Sequence, residues 1–147
     1  MQAIRLKTEH LFDPMGVNFT APRLYWNCNG GKKQTAYQIV AADDGGSILW
    51  DSGRVESAAM CVKWGGAPVP PKTKVFWQVR LWDEENAAGD WSEVSFETGI
   101  GAWSAKWITG DYKVNKKERY PVDCFRKVFT LSDVKKARLY ITACGLY

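Results

Sequence analysis

"KVFWQVRLWD", Lys74 to Asp83, alternates side chains with a period of two. Val75, Trp77, Val79 and Leu81 fall on one face, and Phe76, Gln78, Arg80 and Trp82 on the other. Successive side chains of an extended strand point to opposite sides, so the first set predicts a core-facing stripe. The second set mixes aromatic and polar groups, as expected of a partly covered outer face.

The segments around this strand repeat its pattern. Downstream, "EENAAGD" is a turn and "WSEVSFET" a further strand. Upstream, a Pro-rich connector, "APVPP", separates the strand from "MCVKW". Before that come Ile4 to Leu11, "PRLYWNC" and "TAYQIVAA". In these, Leu24, Trp26 and Cys28 share one face, as do Tyr37, Ile39 and Ala41. Asp13-Pro14-Met15-Gly16, Asn29-Gly30-Gly31 and Asp43-Asp44-Gly45-Gly46 punctuate the run as turns. Helical periodicity is weak throughout. About seven short strands in roughly 100 residues predict an antiparallel β-sandwich of immunoglobulin or fibronectin type III kind.

"ILWDSGRV", Ile48 to Val55, places a carboxylate, a hydroxyl and a glycine side by side. Such a trio suits a catalytic corner, and equally a tight turn whose short polar side chains bond nearby amides. The turn is favoured: Ile48 and Trp50 lie on a first strand, Asp51-Ser52-Gly53 form the turn or bulge of a hairpin, and Arg54-Val55 begin the return.

After Gly99 the composition changes. Residues 101–118 contain Trp103 and Trp107 with little alternation and predict a linker. "DCFRKVFTL" and "KKARLYITACGLY" then predict two more strands within residues 119–147. Two strands are marginal alone, so the expected architecture is all-β: one complete sandwich over residues 1–100, then the first strands of an incomplete second sandwich.

Several function classes are excluded by composition. The net charge of +4 is spread along the 147 residues, with its densest run at Lys113 to Arg119, so a nucleic-acid partner is not expected. No segment approaches the ~20 apolar residues of a membrane span, and "MQAIRLKTEH" lacks the apolar stretch of a signal peptide. Compartment stays open between cytoplasmic and exported. The cysteines at 28, 61, 124 and 144 show no CxxC spacing, and His10 is the one histidine, so neither a metal site nor a cofactor is expected. Cys28, Cys61 and Cys144 sit in apolar or strand-like runs, where a free thiol acts as a small hydrophobe. Asn18-Phe19-Thr20 fits a glycosylation sequon.

Chemistry is sparse. A glycosidase needs an acid and a base flanking a sugar in a cleft. Asp51, Glu56, Asp83, Glu84, Glu85, Asp90 and Glu97 all fall at predicted turns or strand ends, where carboxylates are solvated. A Ser-His-Asp arrangement lacks its nucleophile motif, and Gly45-Gly46 and Gly65-Gly66 are doublets with no following helix. Eight Trp, six Tyr and six Phe serve a core or a sugar-stacking surface. Trp64, Trp82, Trp103 and Trp107 are candidates for exposed faces, with Trp64 and Trp82 the candidate carbohydrate contacts. The competing role for all four is cover for the sandwich. Arg80 and Trp91 are placed to stack as a cation–π pair of structural value.

"TAYQIVAA...ILWDSGRVES", "VFWQVRLWDEENAAGDWSEVSFETG", "WSAKWI" and "ARLYITACGLY" occur in this order over nearly the whole chain. Together they resemble the N-terminal region of bacterial alpha-L-rhamnosidases of the inverting glycoside hydrolase type. The resemblance implies a fibronectin type III-like first module, followed by the opening strands of a jelly-roll module. It implies that the acidic residues of catalysis belong to a helical barrel, so none maps onto these positions. Cys124 and Cys144 stand where relatives carry apolar side chains, which implies buried thiols. The implied role is structural, with the remaining domains of the parent enzyme as partners. A carbohydrate-binding module taking a rhamnose-containing glycan, and a protein-interaction module self-associating through open strand edges, are the alternatives.

Overall fold

The computed structural model describes residues 1–113, 115 and 117–143. The chain forms two compact units, Met1–Ala102 and Trp103–Tyr147. The first unit contains β1 (Gln2–Thr8), β2 (Met15–Val17), β3 (Arg23–Asn29), β4 (Ala36–Asp43), β5 (Ile48–Asp51), β6 (Val55–Glu56), β7 (Cys61–Lys63), β8 (Lys74–Trp82) and β9 (Ser92–Thr98). No helix occurs among the described residues.

Two sheets face each other. One has three strands in the order β1-β3-β7, and the other runs β2-β9-β8-β4-β5 with β6 also on β4. Neighbours are antiparallel except β2 and β9, which are parallel. The stripe of Val75, Trp77, Val79 and Leu81 is fully buried between the sheets, beside Trp26, Ile39, Leu24 and Phe96. Removing each such side chain from water contributes about 1.5–3 kcal/mol. Trp77 spans the core, its indole N–H donating to the Thr8 hydroxyl at 3.1 Å. That bond lets a buried hydroxyl and a buried indole satisfy each other.

The expected hairpin at Asp51 is not one. Trp50 and Asp51 pair with Ala41 and Val40, and then Val55 and Glu56 pair with Tyr37 and Ala36. Residues 48–56 therefore run along β4 in one direction, and Asp51-Ser52-Gly53 form a bulge within that edge. Gly53, at φ 58°, adopts the left-handed conformation the bulge requires. Ser52 keeps the ladder closed: its amide donates to the Ile39 carbonyl at 2.9 Å, and the Ile39 amide donates to the Ser52 hydroxyl at 2.8 Å. A second register shift between Ala41 and Ala42 breaks the alternation of β5 and leaves Ile48 exposed.

Past Glu56 the chain crosses to the other sheet, and Gln34 fixes the crossing. Its carbonyl oxygen accepts from the Trp26 indole at 3.0 Å and from the Cys28 thiol at 3.3 Å. Its amide nitrogen donates to the Ser57 and Ala59 carbonyls at 3.0 and 2.9 Å. The doublet Gly65-Gly66 follows β7 and lies against Trp50. A Cβ on Gly66 would stand 2.8 Å from both the Leu49 carbonyl and the Trp50 Cβ, so only glycine permits this approach.

The second unit carries no strand among its described residues. Tyr112 and Tyr120 stack with centroids 4.8 Å apart, and Asp123 accepts from the Gly110 amide and the Tyr112 hydroxyl at 3.1 and 3.0 Å. The segments expected as opening strands expose Phe125, Val128, Phe129 and Leu139. Cys144 to Tyr147 lie outside the described residues.

Gln34→Leu is expected to destabilise the chain by about 2–4 kcal/mol, because it strips a buried indole N–H and two carbonyls of their partner at once. Urea unfolding followed by Trp fluorescence measures this as a lower midpoint.

Candidate functional site

Several polar side chains of the first unit line up on the outer face of the larger sheet. Gln38 of β4 stands opposite Arg80 of β8. The Arg80 guanidinium donates to the Gln38 side-chain oxygen at 2.9 and 3.2 Å, and the Gln38 amide nitrogen donates to Asp51 at 2.9 Å. The same Asp51 oxygen accepts the Gly53 amide at 2.8 Å, which ties this row to the bulge.

Across the row runs a ladder of alternating cations and rings. The Arg80 guanidinium lies 4.8 Å from the ring centroids of both Trp82 and Trp91. Arg54 lies over Trp82 at 4.9 Å, and is held by Glu56 at 2.8 Å and by Asn86. Each cation–ring contact contributes about 0.5–1 kcal/mol where exposed, and more where water is excluded. Strands β6, β8 and the start of β9 are thereby clamped together from outside.

Asp51, Asp83 and Glu84 are bound into structure. Asp51 is held below the ordinary carboxylate range, first by the Gln38 bond, then by the Gly53 amide, with a smaller contribution from Arg80. A glycosidase acid requires the opposite, a proton retained near neutral pH. Glu84 accepts the amides of Lys32 and Lys33 at 2.9 and 3.1 Å, and backbone amides lower its pKa. Asp83 accepts the amides of Glu85 and Ala87 at 3.0 and 2.9 Å, closing its own turn. Glu85 and Asp90 are exposed. Glu97 departs from the solvated strand end expected of it, being buried within β9.

The candidate carbohydrate contacts are not platforms. Trp64 is 4% exposed: its indole N–H donates to the Ala67 carbonyl at 2.8 Å, and its ring packs on Trp50 and Phe96. Trp82 lies on the outer face as expected, but Arg54 and Arg80 cover it and leave 7% exposed. An aromatic must present a free ring face to stack on a sugar, and neither does. Trp103 and Trp107 are exposed, in the second unit.

The thiols also differ from expectation. Cys61 and Cys124 are exposed, so neither fills a core, whereas Cys28 is half-buried and burial raises its pKa. All three are free. Gln38 and Asn86 were not singled out by sequence. The usable signal for Gln38 was an amide inside the apolar run "AYQIVAA", aligned with the arginine of an outer face.

The depressed Asp51 carboxylate stabilises the fold above the ordinary carboxylate pKa, and that contribution is lost as pH falls through the lower folded value. Urea titrations of the wild type and Asp51→Asn should therefore differ most near neutrality and converge as the pH falls below the lowered folded value. Arg80→Met should lower the unfolding midpoint and shift Trp emission, the change at Trp91 reporting lost stacking.

Comparison with known proteins matches this framework. Residues 3–102 match the family described as Rha78A-like, N-terminal immunoglobulin domain. An alpha-L-rhamnosidase of Streptomyces avermitilis is 39% identical over 74% of this chain and 12% of its own length. One of Formosa agariphila is 35% identical over 95% of this chain and 17% of its own. The solved alpha-L-rhamnosidase from Dictyoglumus thermophilum superposes with a TM-score of 0.69 at 33% identity, over 74% of this chain and 14% of that one. The chain thus spans 12–17% of the length of these curated relatives, at their N-terminal part. By this match over residues 3–102, the chain belongs to the Rha78A-like N-terminal immunoglobulin domain family.

Proposed function

We propose that this chain is the noncatalytic N-terminal part of an alpha-L-rhamnosidase-like glycoside hydrolase, and that its sandwich braces the domains that carry the chemistry. The reaction of the parent is hydrolysis of terminal alpha-L-rhamnose with inversion. The observation that carries this reading is the fate of Asp51: the acid that most resembles a catalytic corner is an ionised crosslink between β4, β5 and the bulge. The family match supports it.

Residues 1–100 are the bracing module and residues 101–118 the linker. Residues 119–147 are opening strands of a jelly-roll module that pair only when its later strands are present. The exposed apolar side chains at Phe125, Val128, Phe129 and Leu139 support this, because unpaired strands cannot bury both faces. Burial of Trp64 and Trp82 weighs against the carbohydrate-binding alternative.

The purified chain is expected to release no rhamnose from an aryl rhamnoside, and its Trp fluorescence should stay flat across millimolar L-rhamnose. Turnover above the buffer rate would refute the noncatalytic role, and a saturable fluorescence change would favour the sugar-binding one.

A further inference from the structure

The sequence holds five asparagines, and glycine follows one of them, Asn29. An asparagine before glycine can modify itself. The next backbone nitrogen attacks the side-chain carbonyl carbon, and glycine, lacking a Cβ, leaves that nitrogen unhindered. In a folded chain the attack also needs a loose side chain, an unengaged nitrogen and room for a five-membered ring.

Asn29 meets these conditions. It is exposed and is the last residue of β3. The ladder with β1 ends at the pair Gln2 and Asn29, so Gly30 lies beyond it. Among the described residues the Asn29 side chain makes no hydrogen bond, and the Gly30 amide finds no acceptor. Gly30 sits at φ 74°, and a Cβ placed on it would meet nothing within 4 Å.

The comparable pairs are blocked. Asp44-Gly45 has the atoms for the same ring, but the Gly45 amide donates to Asp43 at 2.9 Å. Asn86 accepts from Arg54, and the Ala87 amide that follows it donates to Asp83 at 2.9 Å. The Asn115 side chain donates to Glu118 at 2.8 Å. Asn27 is exposed like Asn29, but it lies inside β3, paired with Ile4, and Cys28 follows it. Asn18 precedes Phe19, whose side chain crowds its own amide.

The position is one where a change is felt. Asn29 and Gly30 line a depression of about 390 Å³ together with Lys32 and Lys33, so a new carboxylate would join a basic lining. An isoaspartyl link also adds a carbon to the backbone between β3 and Gln34, whose side chain ties Trp26 to the Ser57 carbonyl.

We propose that Asn29-Gly30 is a self-modifying site of the folded chain. The Gly30 nitrogen bonds to the Asn29 side-chain carbonyl carbon, the bond from that carbon to its amide nitrogen breaks, and ammonia leaves. Water then opens the succinimide at either carbonyl and leaves isoaspartate or aspartate. The net reaction consumes one water and releases one ammonia, with no oxidant and no second protein.

The test is to age the intact 147-residue chain in mildly alkaline buffer and map its peptides by mass spectrometry. Conversion exchanges an NH2 for an OH, a gain of about one dalton, and an isoaspartyl methyltransferase labels the branched product. Asn29 is expected to convert about tenfold faster than Asn27 or Asn86, with isoaspartate among its products. Asn29→Gln, whose longer side chain does not close a five-membered ring, should show no conversion at this position. Conversion of Asn29 no faster than of Asn27 overturns the proposal. Aspartate without isoaspartate does the same, because direct hydrolysis bypasses the ring. Conversion seen only when the chain is held unfolded in guanidinium also overturns it, since the fold would then protect the site.

Discussion

The Ser52 hydroxyl bound to the Ile39 amide is the contact on which the outer edge of this sandwich depends. A bulge inserts residues into one strand only, and the partner strand is left with an unmatched amide. Ile39 is fully buried, so an unpaired N–H there costs about 1–3 kcal/mol. The Ser52 side chain fills the gap at 2.8 Å, and its proton goes on to the Gly53 carbonyl at 2.7 Å. Because the ladder survives, residues on both sides of the bulge stay paired to β4, and the chain reaches the crossing point held by Gln34.

Everything on the outer face follows from that continuity. With β5 and β6 both aligned on β4, Asp51 comes within reach of Gln38, and Arg54 comes over Trp82. Gln38 passes the connection to Arg80, whose guanidinium fills the space between Trp82 and Trp91. The chain has thus placed acid, amide, cation and rings in one row without making a cleft. The groups that resemble chemistry are satisfied by one another.

The sandwich was legible in sequence because burial writes itself as alternation. Val75, Trp77, Val79 and Leu81 could face only a core, and they do. Strand β2 was not legible: three residues with Gly16 in the middle have no period to detect, and only pairing with β9 makes them a strand. Asp51-Ser52-Gly53 carried the chemistry of either a turn or a bulge. The choice depends on which strand lies beside Val55, which is a long-range fact. Trp82 shows the same limit in another form. Periodicity assigned its face correctly and put Arg80 beside it, but Arg54, which also covers the ring, comes from the bulged edge before β6. The exposure of Cys61 follows from β7 being a three-residue edge strand, too short to read by period.

The central claim is that the Asp51-Ser52-Gly53 corner is a structural splice. Native-state amide hydrogen exchange at Ile39 tests it most directly. The account predicts that this amide exchanges only through global unfolding in the wild type. In Ser52→Ala, the unpaired amide should exchange faster by roughly 5–150-fold beyond the change in global stability, the kinetic image of about 1–3 kcal/mol. An Ile39 amide that exchanges no faster in Ser52→Ala than the rest of β4 would contradict it.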